Sequence, residues 1–153
     1  MSLRLEWLVD HPLHSDTYAA WIHRQFAYEY AEQPLTDWQR EFAAGQNNGD
    51  WSCLIALDGE RLLGGAALAR ADLALRPDLG PWLACVFVSP QARGQGLAER
   101  LIDGVSRAAK QRGFARFYLH TQNKQDYYAK RGWTVLERFR AWDNEQWLMV
   151  RDL

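Results

Sequence analysis

The chain has 153 residues, 48% of them hydrophobic and 24% charged, with a net charge of −1. That length corresponds to a single domain, 1–153, large enough to bury a core, and the composition excludes a disordered or fibrous chain. No run of Lys or Arg exceeds two residues, so the footprint of a nucleic-acid binder is missing and no nucleic-acid partner is expected.

The N-terminal "MSLRLEWLVD" has no long apolar core and meets an acid at Asp10, which predicts neither a signal peptide nor a membrane span and a place in the cytoplasm. Leu3 to Val9 begins with alternation and reads as a strand. After Ser15 and Asp16, either suited to cap a helix, Tyr18, Trp21, Ile22 and Phe26 recur on one helical face, and Pro34 ends the segment. A second helix follows over "LTDWQREFAAG", with Thr36 or Asp37 as cap, Trp38 and Phe42 four apart, and Gly45 at its exit. "WSCLIAL", "DGE" and "RLLGGAALAR" spell two apolar strands about an Asp-Gly turn, a β-hairpin. The prolines and glycine of Ala71 to Pro81 predict a loop. Trp82 to Val88 is a continuous apolar run too short for a helix, hence a central strand covered on both faces.

Beyond the glycines at 94 and 96, Leu97, Leu101, Ile102, Val105, Ala108 and Ala109 make an apolar stripe opposite a charged face, which is the clearest helix in the chain. It stops at Gly113 and gives way to the strand "ARFYLHT", completing a strand–helix–strand unit whose two strands run parallel. "DYYAKRG" is a short helix closing on Gly132, and "WTVLERF" and "QWLMVRDL" are strands joined by a turn around "DNE".

Cys53 and Cys85 each lie in an apolar run and read as buried thiols, not as a disulfide or metal clamp. His11 and His14 flank Pro12 with no carboxylate or cysteine cluster beside them, so no metal site is expected. Eight tryptophans are many for this length, and packing accounts for most of them.

The stretch "SPQARGQGLAER" holds the chemistry. It lacks the Lys-Ser or Lys-Thr pair of a Walker loop, and Glu99 stands where a dinucleotide fingerprint needs a third small residue. It fits Q/R-x-x-G-x-G/A through Gln91, Gly94 and Gly96, set between a buried strand and an amphipathic helix. The first turn of a helix has N–H groups without intrahelical partners and a partial positive charge, so anions bind there. Glycines at 94 and 96 let the backbone approach a pyrophosphate, and Arg93 can add a charged donor.

"PWLACVFVSPQARGQGLAERLI" resembles the acetyl-CoA-binding motif of the GNAT N-acetyltransferases, and "YYAKRGW" resembles that superfamily's later FYxKxGF signature. The order of elements agrees along the whole chain, and "RPDLGPWLA" with "LHTQNKQDYYAKRGW" is similar to a bacterial subgroup of the family. The resemblance implies an α/β (α+β) fold, the GNAT acyl-CoA N-acyltransferase fold, with a mixed sheet of about six to seven strands and about four helices. It implies acetyl-CoA as cosubstrate, held by the backbone of Val86, Phe87 and Val88 and by the amides of Arg93, Gly94, Gln95, Gly96, Leu97 and Ala98. Asn123 stands near the place of a cofactor-facing asparagine. Tyr128 matches the family tyrosine, and a phenol of reference pKa about 10 can protonate a thiolate whose conjugate acid lies near 8.5; Tyr127 falls on another helix face.

The strand Trp82 to Val88 departs from relatives that place a glutamate there, which leaves the general base among His120, Asp72, Glu29, Glu32 or a water. Cys85 as a nucleophile would need a low-pKa setting that its apolar neighbours deny, so direct transfer is preferred. The implied activity is N-acetylation of a primary amine, on a small molecule or a peptide, with Trp21, Trp38 and Trp142 as candidate walls of the acceptor pocket. The alternative is a non-catalytic acyl-CoA-binding or interaction module on the same fold, favoured by the missing strand glutamate. A homodimer is compatible with the family resemblance alone.

Overall fold

Strand β2 (Trp51–Asp58) divides the interior in two, because its successive side chains point to opposite sheet faces. The computed structural model describes residues 2–153 and shows both sides. Cys53, Ile55 and Leu57 pack with Tyr18 and Ile22 of helix α1 (Ser15–Gln25) and with Trp38 and Phe42 of α2 (Leu35–Asn48). Leu54 and Ala56 pack on the other face with Leu97, Leu101, Ile102 and Val105 of α3 (Leu97–Gln111). The remaining elements are β1 (Leu3–Trp7), β3 (Arg61–Ala69), β4 (Trp82–Val88), β5 (Arg116–Thr121), α4 (Gln125–Ala129), β6 (Thr134–Ala141) and β7 (Asn144–Asp152). Among the described residues the strands form one seven-stranded sheet of order β1-β2-β3-β4-β5-β7-β6. All neighbours are antiparallel except β4 and β5. The architecture is the mixed sheet with four α-helices expected from the sequence. No helix among the described residues is long and apolar enough to cross a membrane.

Several boundaries differ from the sequence reading, each for a physical reason. The N-cap of α1 is His14, with Ser15 inside the helix, and that of α2 is Pro34, so neither Ser15 or Asp16 nor Thr36 or Asp37 caps through a side chain. Gly45 does not end α2. A Cβ there would stand 2.6 Å from Trp51 Cδ1, so Gly45 is a packing glycine, and Gly49, at φ +85°, is the left-handed terminator. The last hairpin turns at Trp142–Asp143, not around Asp-Asn-Glu: Ala141 pairs with Asn144, and the two residues between them have φ of +52° and +60°.

Strand β4 carries a bulge that matters for the site. Gly65 of β3 pairs with Phe87 and Ala67 with Ala84, so Cys85 and Val86 together oppose Ala66. Cys85 sits at φ +54°. Ala84 and Cys85 therefore face the α1–α2 side in succession, and the alternation resumes out of phase, with Val86 and Val88 toward α3 and Phe87 toward α1.

Candidate active site

Parallel strands β4 and β5 pair only at Trp82 and Tyr118. Beyond that point they part, although each keeps its other neighbour: β4 follows β3 as far as Val88, and β5 follows β7 as far as Thr121. The gap leaves the facing edges of two strands without ladder partners, a template for an extended chain. It opens into a cleft of about 540 Å³, the size of a small-molecule site.

At one end of the cleft lies the turn before α3. Gly94 and Gly96 have φ of +80° and +73°, a conformation that side chains bearing a Cβ rarely adopt. Gly96 is the N-cap of α3 and no side chain caps the helix, so its first-turn N–H groups stay available to an anion. Arg93, Gly94, Gly96, Leu97 and Ala98 line the cleft, as do Val86, Phe87, Val88 and Asn123. The Arg93 guanidinium is already engaged: Nε donates to the Val88 carbonyl at 2.9 Å, and the group stands 5.6 Å from the centre of the Phe87 ring. Gln91 and Gln95 are exposed and lie outside the lining; Gln91 Oε1 accepts from Ser89 Oγ at 2.6 Å, tying the loop to itself.

Tyr128 is fixed by the turn that ends α4, where the N–H groups of Arg131 and Trp133 both donate to its carbonyl around Gly132. Its ring meets Trp133 at 6.0 Å and opens on the cleft. Burial pushes its phenol well above the usual value, so it carries its proton at neutral pH. Tyr127 also lines the cleft, contrary to the expectation that it turns away, with its ring perpendicular to that of Tyr128 and the Arg131 guanidinium 3.6 Å over its face.

The far end brings together three residues from segments distant in sequence. Glu29 lies in the successive turns that link α1 to α2, Asp72 follows β3, and His120 is near the end of β5. His120 Nε2 is 3.0 Å from Asp72 Oδ2 and 4.0 Å from Glu29 Oε1. The ring N–H does not point along the shorter line, and Nε2 is a buried polar atom without a hydrogen-bond partner among the described residues. Burial pushes Glu29 up to about 7, with Asp72 adding to it and His120 and the Tyr28 hydroxyl opposing. Burial alone would pull His120 down, but the two carboxylates outweigh it and hold the imidazole at about 9. Glu32 is exposed and does not reach the cleft. Cys85 reaches it, but burial raises its thiol well above the usual value and leaves it a poor nucleophile.

Of the three candidate tryptophans, Trp38 is a core residue whose Nε1 donates to the Ala19 carbonyl. Trp21 packs on the Phe87 ring at 5.6 Å. Trp142 alone reaches the cluster, 5.7 Å from the His120 ring and 5.8 Å from that of Tyr28. The whole Glu29–Asp72–His120 association is tertiary, and only the residue types hinted at it.

Solved structures of acetyltransferases share this architecture. The chain is similar to an aminoglycoside 6'-N-acetyltransferase complexed with coenzyme A (16% identity over 99% of this chain and 97% of that one, TM-score 0.76). It is similar to an aminoglycoside 6'-acetyltransferase type Ii (18% identity, 99% and 97% covered, TM-score 0.74). A third is the PaiA N-acetyltransferase of Thermoplasma acidophilum in complex with coenzyme A (15% identity, both chains covered in full, TM-score 0.67). At these identities the likeness is one of fold. No curated protein matches the sequence. The model of the acetyltransferase (GNAT) family matches residues 15–133, which is most of the chain and includes both the glycine turn and the Tyr128 segment, and the protein therefore belongs to the GNAT acetyltransferase family.

Proposed function

We propose that the protein moves an acetyl group from acetyl-CoA to a primary amine by direct attack, with the acyl donor along β4 and the amine at the Glu29–Asp72–His120 end. The observation that carries this reading is the parting of β4 and β5 beyond Trp82 and Tyr118, which joins the glycine turn to the carboxylate cluster in one cleft. The residues present fit the donor. Open strand edges suit an extended pantetheine arm, and uncapped N–H groups at α3, reached over two glycines without side chains, suit a diphosphate. Acetyl-CoA, when bound, supplies a thioester carbon open to nucleophiles and a sulfur that leaves with the electron pair.

Two proton movements remain for the chain. An amine attacks only when neutral, and Glu29, with a pKa raised to about 7, is matched to take its proton near physiological pH. His120, held at about 9, stays an imidazolium and is the poorer base. Tyr128, protonated and open to the cleft, returns a proton at the sulfur. In this reading Glu29 supplies from the α1–α2 link what several relatives place on the motif strand, which counts against a non-catalytic module. The test is to titrate the purified protein with acetyl-CoA and to follow thiol release across a panel of amines. Amine-stimulated release supports transfer; tight coenzyme A binding with no stimulated release favours the binding module.

A further inference from the structure

An acid stands at the anion end of the cleft. Glu99 is the third residue of α3 after the N-cap Gly96, and it lines the cleft together with Gly94, Gly96, Leu97 and Ala98. In a capping box a glutamate at this position reaches back and accepts from the N-cap N–H, and its charge is favoured at the positive end of the helix. These are the same N–H groups that suit the diphosphate. Glu99 is thus a competitor for them within the chain, and as a carboxylate it repels a phosphate besides.

Among the described residues no side chain caps α3, because the Glu99 carboxylate is engaged elsewhere. Nε and Nη2 of Arg131, 32 residues away in sequence, both donate to Glu99 Oε1. Arg131 itself does not line the cleft. It is held in turn by a third bond, Nη1 to the Tyr127 carbonyl at 2.8 Å, and by the Tyr127 ring, whose centre is 3.6 Å from the guanidinium carbon. The pair is partly exposed, and ion pairs of that kind add little to stability. What three bonds and a stacked ring fix here is the place of one negative charge.

We propose that Arg131 is a positioning residue for the donor: it withholds the Glu99 carboxylate from the first-turn N–H groups of α3 and keeps them open to the diphosphate, a role that rests on the donor reading of the cleft. Calorimetry with coenzyme A tests it. Arg131→Met frees Glu99 and should weaken binding about fivefold at low salt, the worth of one carboxylate at the positive end of a helix. That deficit should shrink as salt is raised, since the charges are not deeply buried. Glu99→Gln added to Arg131→Met should restore the parent affinity, which neither a direct contact of Arg131 with phosphate nor damage to α4 would allow. Glu99→Gln alone changes an exposed side chain and should bind coenzyme A at least as tightly as the parent, which gives an answer even where Arg131→Met fails to fold. Parent affinity in Arg131→Met, a double variant no tighter than Arg131→Met, or weaker binding by Glu99→Gln would overturn the assignment while the donor site stands. A parent protein that binds no coenzyme A, or binds it unchanged in Gly96→Val, would instead overturn the donor reading and this role with it.

Discussion

The hydroxyl of Tyr18, buried in α1, donates to the carbonyl oxygen of Cys85 at 2.6 Å. Cys85 is the left-handed residue of the β4 bulge, so the bond ties the first helix to the point where the cofactor strand changes phase. Gly65 makes room for it: a Cβ there would lie 2.8 Å from Tyr18 Cζ. Burial holds the phenol well above its usual pKa, with the neighbouring Cys53 and Cys85 adding to this and the Phe87 amide opposing, so Tyr18 remains a donor. Tyr18→Phe leaves a buried carbonyl without its partner and should lower stability by about 1–3 kcal/mol in denaturant unfolding. Because the bulge directs the backbone of Val86 to Val88, coenzyme A affinity should fall several-fold as well. A destabilised variant with unaltered affinity would show that the bulge is held by other contacts.

At the glycine turn, Gly94→Val and Gly96→Val meet no steric obstacle, since nothing lies within 4 Å of either added Cβ. What opposes them is the backbone, because a β-branched residue in the left-handed region costs about 1–3 kcal/mol and turns the loop amides away. Coenzyme A binding should weaken at least tenfold in calorimetry while the circular dichroism of the fold persists. Binding curves like those of the parent protein would mean that the diphosphate is gripped elsewhere.

Tyr128→Phe keeps the ring contacts with Trp133 and Tyr127 and removes only the proton donor. General acids contribute roughly 100-fold or more, so kcat should fall by about that factor while the KM for acetyl-CoA changes less than twofold. Unchanged turnover would take the acid role from this residue.

The pH dependence has two parts. The rate should climb as Glu29 ionises, with kcat/KM rising through about pH 7 and levelling above it. Stability should move the other way. Glu29, raised from 4.5 to about 7, and His120, raised from 6.5 to about 9, both bind protons more tightly in the folded chain. Their contributions are complete at low pH, and are lost between pH 4.5 and 7 for Glu29 and between 6.5 and 9 for His120. Melting temperature should therefore decline from pH 5 to pH 10, and Glu29→Gln should flatten the acidic half of that decline. A melting temperature that rises over this range would contradict the assignment.

Local pattern made the main elements legible: the apolar stripe of α3, the run of β4 and the Asp-Gly hairpin each declare themselves within one short, continuous stretch. The glycine turn was legible for the same reason, since its chemistry is that of its own backbone. What escaped was set by contacts across the fold. Gly45 read as a terminator because a sequence does not show that Trp51 lies against it. The last turn read as Asp-Asn-Glu because propensity argues against Trp at positive φ, and only packing on His120 and Tyr28 explains it. Glu29, Asp72 and His120 stand separately in the sequence among the possible bases, but their convergence, and the exclusion of Glu32, depend on where two loops and the end of β5 come together. Tyr127 was misplaced because α4 is a five-residue helix at the rim of a cleft, where two adjacent side chains both reach the opening.

The extra residue in β4 acts like a frameshift in a two-letter code. Upstream of it, even-numbered positions address the α1–α2 layer; downstream, odd-numbered ones do, as Trp82 and Phe87 illustrate. A deletion confined to Cys85 would put both halves back in step, leave Val86 and Val88 toward α3 and Phe87 toward α1, and straighten the strand at the point that Tyr18 now holds. The strand's length therefore bears on ligand placement more heavily than its composition does, and swapping one aliphatic residue for another along it should be far gentler than removing a single position.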